Sequence, residues 1–232
     1  MVNEEHTVNK SETSENGAIS ATLIAEKVNS KRLYLFVKRV IDMVGSAIGL
    51  IMLIPVFLIV AILMKIEEPL GPIFFSQTRI GKNEEEFKMF KIRSMCVDAE
   101  EKLAELLKHN EVDGAMFKMK EDPRITKVGK FIRKTSIDEL PQLWNVLKGE
   151  MSLVGPRPPL VREVAEYSNY DKQRLLVKPG CTGLWQISGR NEVGFHEMVE
   201  LDLEYIQKAS IIKDIEIMVK TVYVMLKPNG AY

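Results

Sequence analysis

The sequence predicts a mostly α-helical protein with a small β component: a membrane-inserted re-entrant helix and a cytosolic domain lying against the same membrane face. Three observations carry that expectation. Met43 to Met64 contains no charged residue, and about 20 apolar residues suffice to cross a bilayer core. Cations flank that run on both sides, with Lys31, Arg32, Lys38 and Arg39 before it and Lys65, Arg79 and Lys82 after it. The rest of the chain shows amphipathic helical patterns around one pair of short strand-like runs, with no βαβ rhythm.

At 232 residues the chain holds one ordinary domain plus an appendage. Lys+Arg and Asp+Glu are both 32, so the charge balance says nothing about a nucleic-acid partner, and none is expected. Cys96 and Cys181 stand alone, without zinc-ligand spacing, as expected of free thiols in a cytosol-facing protein. Residues 1–30 are polar, acidic and free of aromatics, which predicts a disordered tail. The expected division is 1–30 tail, 31–66 membrane-inserted re-entrant helix and 67–232 cytosolic domain.

The apolar run starts too late, is too long and lacks the cleavage site of a signal peptide. A buried core helix of that length would show a polar face. Pro55 sits in the middle, removes a backbone donor and predicts a helix kink there. Basic residues favour the cytoplasmic side. One straight span cannot satisfy both flanks, whereas a helix bent at Pro55 returns to the face it entered; a kinked span is the alternative. Asp42 follows Lys38 by four residues and Arg39 by three, which predicts an interfacial ion pair on one helix face. Lys38 and Arg39 are also placed to meet an anionic lipid head group.

Further along, "PIFFSQ" and "EFKMFKIRSM" read as strands around the turn candidate "RIGKNEE". "DAEEKLAELLKHN", "GKFIRK", "LPQLWNVL", "LVREVAEYSNYDKQRLL" and "DIEIMVKTVYVML" read as helices, the last able to lie on a membrane or close the core.

The chemistry concentrates in "SIDELPQLWNVLKGEMSLVGPRP". "SIDE" fits a helix capping box with Ser136 as N-cap and Glu139 at N3. Pro141 would then lie beyond the tolerant first turn, and Asp138 as the cap places it more easily. In both registers Asp138 stands at a helix start behind Arg124, Lys127, Lys130, Arg133 and Lys134, surroundings that favour an ionised carboxylate. Such a group can hold Mg²⁺ on a diphosphate or attack phosphorus. The basic stretch can equally touch anionic lipid. Prolines on both sides stiffen Arg157 in "GPRP", and "KPGCTGLWQISGRN" offers Arg190 in a glycine-rich loop that matches no nucleotide fingerprint. His6, His109 and His196 form no metal spacing.

"FVKRVIDMVGSAIGLIMLIPVFLIVAI", "PIFFSQTRIG", "FKMFKIRSM", "GKFIRKTSIDELPQLWNVLKGEMSLVGPRP" and "VKPGCTGLWQISGRN" together resemble the bacterial sugar transferases, the monotopic phosphoglycosyl transferases, from about Tyr34 to the C-terminus. The resemblance implies transfer of a sugar-1-phosphate from a UDP-sugar to undecaprenyl phosphate with release of UMP. That reaction begins exopolysaccharide, capsule or O-antigen assembly at the cytoplasmic face of the inner (plasma) membrane. It further implies Mg²⁺ at Asp138, an Asp138–Glu139 dyad with Asp138 as nucleophile, Arg133 on the substrate phosphate, and Lys38 and Arg39 as the basic pair of the membrane helix. Arg157 and Arg190 are further phosphate-binding candidates, a homodimer is an expectation, and the C-terminal motifs look most like the galactose or glucose type. Ile54-Pro55 replaces the Ser-Pro common at the helix break of small members. The competing class is a non-catalytic membrane-anchored scaffold of a polysaccharide assembly complex, which needs no acidic pair among cations.

Overall fold

The computed structural model describes residues 30–99, 101–102, 119, 122–188 and 194–226. Residues 1–29 of the expected tail, most of "DAEEKLAELLKHN", and Arg190 lie outside the described residues.

Helix α1 spans Arg32–Glu67, 36 residues. At about 1.5 Å per residue it is about 54 Å long. It is the one described helix long and apolar enough to cross a membrane, with a mean hydropathy of 3.0 over its most apolar window and only 11% of that window buried. Pro55 lies inside this single helix and is exposed, and the helical pattern runs on through it. The helix has partners at both ends. Near its start, Lys38 pairs with Asp214 at 2.9 Å and Asp42 accepts from the Leu153 amide at 2.9 Å. Near its end, buried Val60 and Met64 join a core cluster with Ile92 and Ile132. Asp42 is thus committed to a backbone amide and Lys38 to Asp214, in place of the expected ion pair between them. Burial explains the exchange: Asp42 is 4% exposed and a buried amide needs an acceptor.

Strands β1 (Phe74–Ile80) and β2 (Glu86–Ile92) form an antiparallel hairpin in the register Phe74↔Ile92 to Ile80↔Glu86. Asn83 turns the chain at φ 57°, a left-handed conformation that asparagine tolerates. Helix α2 (Lys127–Lys134) follows, then a 3₁₀ turn over Ile137–Glu139 and helix α3 (Gln142–Lys148). Beyond them, β3 (Ser152–Val154) pairs in parallel with β4 (Gly180–Thr182), with α4 (Val161–Val164) in the connection. Three-residue runs carry no period, so neither strand has a signal in the sequence.

The helix expected over "LVREVAEYSNYDKQRLL" is not formed as one piece. Only α4 and a 3₁₀ segment, Asp171–Leu176, appear. Asp171 takes the Ser168 amide (2.9 Å) and hydroxyl (2.6 Å), a local alternative to helical bonding. Helices α5 (Leu184–Ser188), α6 (Phe195–Lys208) and α7 (Ile211–Leu226) complete the body. Val154, Leu184, Val199, Leu203, Tyr205, Ile206 and Ile217 join β3 and these helices in the main core. Helix α7 buries Ile217 there and exposes Ile212, Ile215, Val219 and Val222, so the two roles foreseen for it are not exclusive.

Candidate active site

The acidic pair sits where the chain is least regular. The capping box is absent: Ser136 adopts φ 56°, ψ 19° and makes no side-chain cap. A helix begun there would need the amide Pro141 lacks. The chain instead turns through Ile137–Glu139 and opens α3 after Pro141, whose φ of −61° suits a helix start. A serine forced into the left-handed region is a local strain held by its surroundings.

Those surroundings are specific. Asn145 of α3 is fully buried and mimics a strand neighbour of β2, accepting from the Phe90 amide (3.1 Å) and donating to the Lys88 carbonyl (2.7 Å). This seats the turn against β2, and Lys91 Nζ then meets Glu139 Oε1 at 2.7 Å. Glu139 is partly exposed, with 47% of its side chain accessible. Partial burial pushes its carboxyl upward, but Lys91, Arg157 and Arg79 overcome this and hold it below the usual range. Asp138 is buried, at 8% exposed. Burial, with help from the Glu139 charge, raises its carboxyl to about 6, against the pull of Lys91 and Arg133. Two adjacent carboxylates are thereby pushed apart, a pattern that assigns distinct chemical roles.

Strand β1 organises the second half of the site. Its Ile80 amide donates to the Pro159 carbonyl (3.0 Å), and Arg79 Nη1 donates to the Pro158 carbonyl (3.0 Å). The proline-flanked loop is thus laid along the hairpin, with Arg157 3.5 Å from Glu163. Arg79 is 6% exposed; burial, the neighbouring Arg157 charge and Arg162 lower its guanidinium to about 10, against Glu163 and Glu139. Deeper still, Arg174 pairs with Asp202 and reaches the Arg157 carbonyl (3.3 Å) and the Tyr167 hydroxyl (2.9 Å). Arg79, Lys91, Arg133 and Arg157 outnumber Asp138, Glu139 and Glu163, which suits a polyanionic ligand.

The structure therefore brings Asp138, Glu139, Arg133 and Arg157 into one electrostatic neighbourhood. It adds Lys91, Arg79 and Glu163 to the site; strand alternation along β1 and β2 is the only local signal for the first two, and Glu163 of α4 has none. Lys38 and Arg39 lie elsewhere. Lys38 is on Asp214, and Arg39 donates to the carbonyls of Val146 (2.7 Å) and Leu147 (2.8 Å) at the end of α3. Among the described residues no group of three or more His, Cys, Asp or Glu is placed to hold a metal ion. A Mg²⁺ that keeps its waters and rides on substrate phosphates needs only one or two protein carboxylates, and Asp138 with Glu139 beside it fits that demand.

The family model for bacterial sugar transferases matches residues 33–228. The chain belongs to that family. Among its relatives, the chain is 52% identical over 204 residues to the galactosyl transferase CpsE of Streptococcus agalactiae serotype III, covering 87% of this chain and 44% of that protein. It is 44% identical over 207 residues to the undecaprenyl-phosphate galactose phosphotransferase of Salmonella typhimurium, covering 88% and 43%. It is 40% identical over 199 residues to the exopolysaccharide production protein ExoY of Rhizobium meliloti, covering 84% and 88%. The chain thus spans less than half the length of the first two and most of the third.

Proposed function

We propose that the chain transfers a sugar-1-phosphate of the galactose or glucose type from a UDP-sugar to undecaprenyl phosphate, releasing UMP and starting exopolysaccharide, capsule or O-antigen synthesis. The observation that carries this reading is Asp138: a buried carboxylate, in no ion pair among the described residues, beside a salt-bridged Glu139 and facing Arg133. The names of the galactosyl and undecaprenyl-phosphate galactose transferase relatives support the substrate class.

The chemistry runs in two displacements. Asp138 Oδ attacks the β-phosphorus of the UDP-sugar; the bond from that phosphorus to the bridging oxygen breaks and its electron pair leaves with UMP. A phosphate oxygen of undecaprenyl phosphate then attacks the same phosphorus, the aspartyl P–O bond breaks, and the carboxylate is restored. Each step exchanges one P–O bond for another. Arg133 and Arg157 hold phosphate oxygens, and Lys91 keeps Glu139 ionised and directed. Mg²⁺ on the diphosphate would lie against Asp138 and neutralise part of its charge. Handling the phosphates in turn spares the site from holding two polyanions together.

We place this reaction at the cytoplasmic face of the inner membrane. Support comes from α1, which contacts the body near both ends while its exposed face, including Ile51, Ile54, Leu58 and Ile62, stays apolar. A helix whose ends both rest on one domain does not leave them on opposite sides of a bilayer.

Incubation with sugar-labelled UDP-sugar alone tests the reading. Label should appear on the protein with roughly equal UMP, and undecaprenyl phosphate should then move it to lipid. UMP released only when both substrates are present would make Asp138 a base or metal ligand for direct displacement. No release from any UDP-sugar, by folded protein in membranes, would favour the scaffold.

A further inference from the structure

The segment that carries the acidic pair is a helix, a turn and a helix: α2, Ile137–Glu139 and α3. Both outer ends of this unit are closed by side chains of α1. At the amino end of α2, Glu67 Oε1 accepts from the Lys127 amide (2.7 Å) and Oε2 from the Val128 amide (3.0 Å). The next amide, Gly129, goes to Thr126 Oγ1 at 2.9 Å, so Glu67 fills the positions that the local cap leaves open. At the carboxyl end of α3, Arg39 Nη1 donates to the Val146 carbonyl, which also accepts from the Gly149 amide (3.0 Å), and Nη2 donates to the Leu147 carbonyl. Gly149 closes α3 at φ 90°, and a Cβ there would come within 3.2 Å of Arg39 Nη2, so the glycine also makes room for the guanidinium.

Both charges have the sign the helix ends require, an anion at the amino end and a cation at the carboxyl end. Neither belongs to the helix it caps. They lie far apart on α1, so one continuous helix grips the catalytic unit at its two extremes. Between the grips the backbone passes through strained Ser136 and the acidic pair, where a shift in either helix changes the aim of Asp138.

We propose that Glu67 and Arg39 are positioning residues: α1 acts as a clamp that fixes α2 and α3 at a set separation and thereby holds Asp138 and Glu139 in reacting geometry. The clamp deepens the proposed phosphosugar transfer and rests on it for its kinetic readout.

The test uses the full chain in lipid nanodiscs, with Glu67→Ala, Arg39→Gln and the conservative Arg39→Lys. Rapid-quench UMP release from UDP-sugar alone separates two quantities: burst amplitude counts folded, competent sites, and the burst rate constant reports geometry. Both disruptive variants should keep the amplitude and lose about tenfold to a hundredfold in rate constant, the size expected from a small misplacement of reacting groups. Arg39→Lys, able to serve one carbonyl, should recover part of that loss. Hydrogen exchange supplies an arm independent of activity: Glu67→Ala should speed exchange at Lys127 and Val128 while the Phe90 amide, bound by Asn145, stays protected. Wild-type rate constants in both variants, a loss confined to amplitude, or unchanged exchange at Lys127 and Val128 would each overturn the clamp. If the wild-type chain shows no burst, the covalent reading falls, and the exchange arm still judges the clamp.

Discussion

Asp138 and Asp202 are both buried, at 8% and 1% exposed, and burial raises both carboxyls to about 6. Their surroundings differ in kind. Asp202 is sealed in the core against Arg174, one carboxylate with one dedicated cation. Asp138 faces Lys91 and Arg133, but Lys91 is spent on Glu139, so its own charge is left without a private partner. A perturbed aspartate is therefore not by itself a mark of chemistry. The mark is a perturbed aspartate whose neighbours leave it something to bind.

The largest expected effect is on activity. Asp138→Asn should lower UMP release by at least about 10³-fold while leaving a folded protein. The same change should stabilise it at neutral pH. A carboxyl whose folded pKa lies above its unfolded one keeps more protons in the native state, so its contribution to stability falls as pH rises from about 4 to about 6. Removing the charge recovers at most about 3 kcal/mol above that window and nothing below it. Melting Asp138→Asn beside wild type at pH 4 and pH 7.5 checks the sign; equal shifts at both pH values would break the contrast.

Asp202→Asn should act in the opposite sense. It strands a buried guanidinium, which costs about 3–5 kcal/mol. Denaturant midpoints of the solubilised protein should show this, and the active fraction that remains should turn over at close to the normal rate. Lys91→Met is a smaller probe. It frees Glu139 from its salt bridge and should slow turnover by about 10–100-fold, in the range of a general acid–base contribution. It should change stability by less than about 1 kcal/mol, since the pair is partly exposed. Steady-state kcat and a thermal melt on one preparation separate these effects. Smallest of all, Thr126→Ala removes the local cap of α2 and should cost about 1 kcal/mol in a denaturant melt, with kcat little changed while Glu67 still holds the first two amides.

How much of this could be read from the sequence follows the range of each signal. The acidic pair, the cations before it, the stiffened Arg157 and the apolar helix are properties of neighbouring residues, and they were legible. So was the hairpin, whose strands are seven residues each and joined by a short turn. The remainder depends on partners far along the chain. Lys91 reaches Glu139 across a separation of 48 residues, and Arg39 meets Val146 across 107. No local pattern announces either, so Arg39 read as a lipid contact and Lys91 as a strand residue. Local signals also misled where they competed. Ser136 and Glu139 have the spacing of a capping box, yet Pro141 moves the helix start, and Asp171 breaks a pattern that otherwise reads as one helix. Helix α6 went unassigned, although it supplies Val199, Leu203 and Ile206 to the core.

The grip of α1 on α3 also sets an order of events during synthesis. Arg39 leaves the ribosome 107 residues ahead of the carbonyl it will cap. At typical elongation rates that is a wait of about 5–20 s. Until Ile92 and Ile132 emerge, the apolar helix has no core partner for Val60 and Met64, and throughout the interval Arg39 has only water or lipid head groups to satisfy its guanidinium. On the proposed membrane placement, lipid is the first folding partner of this chain, and the helix settled there becomes the template onto which the later segment with the acidic pair is built.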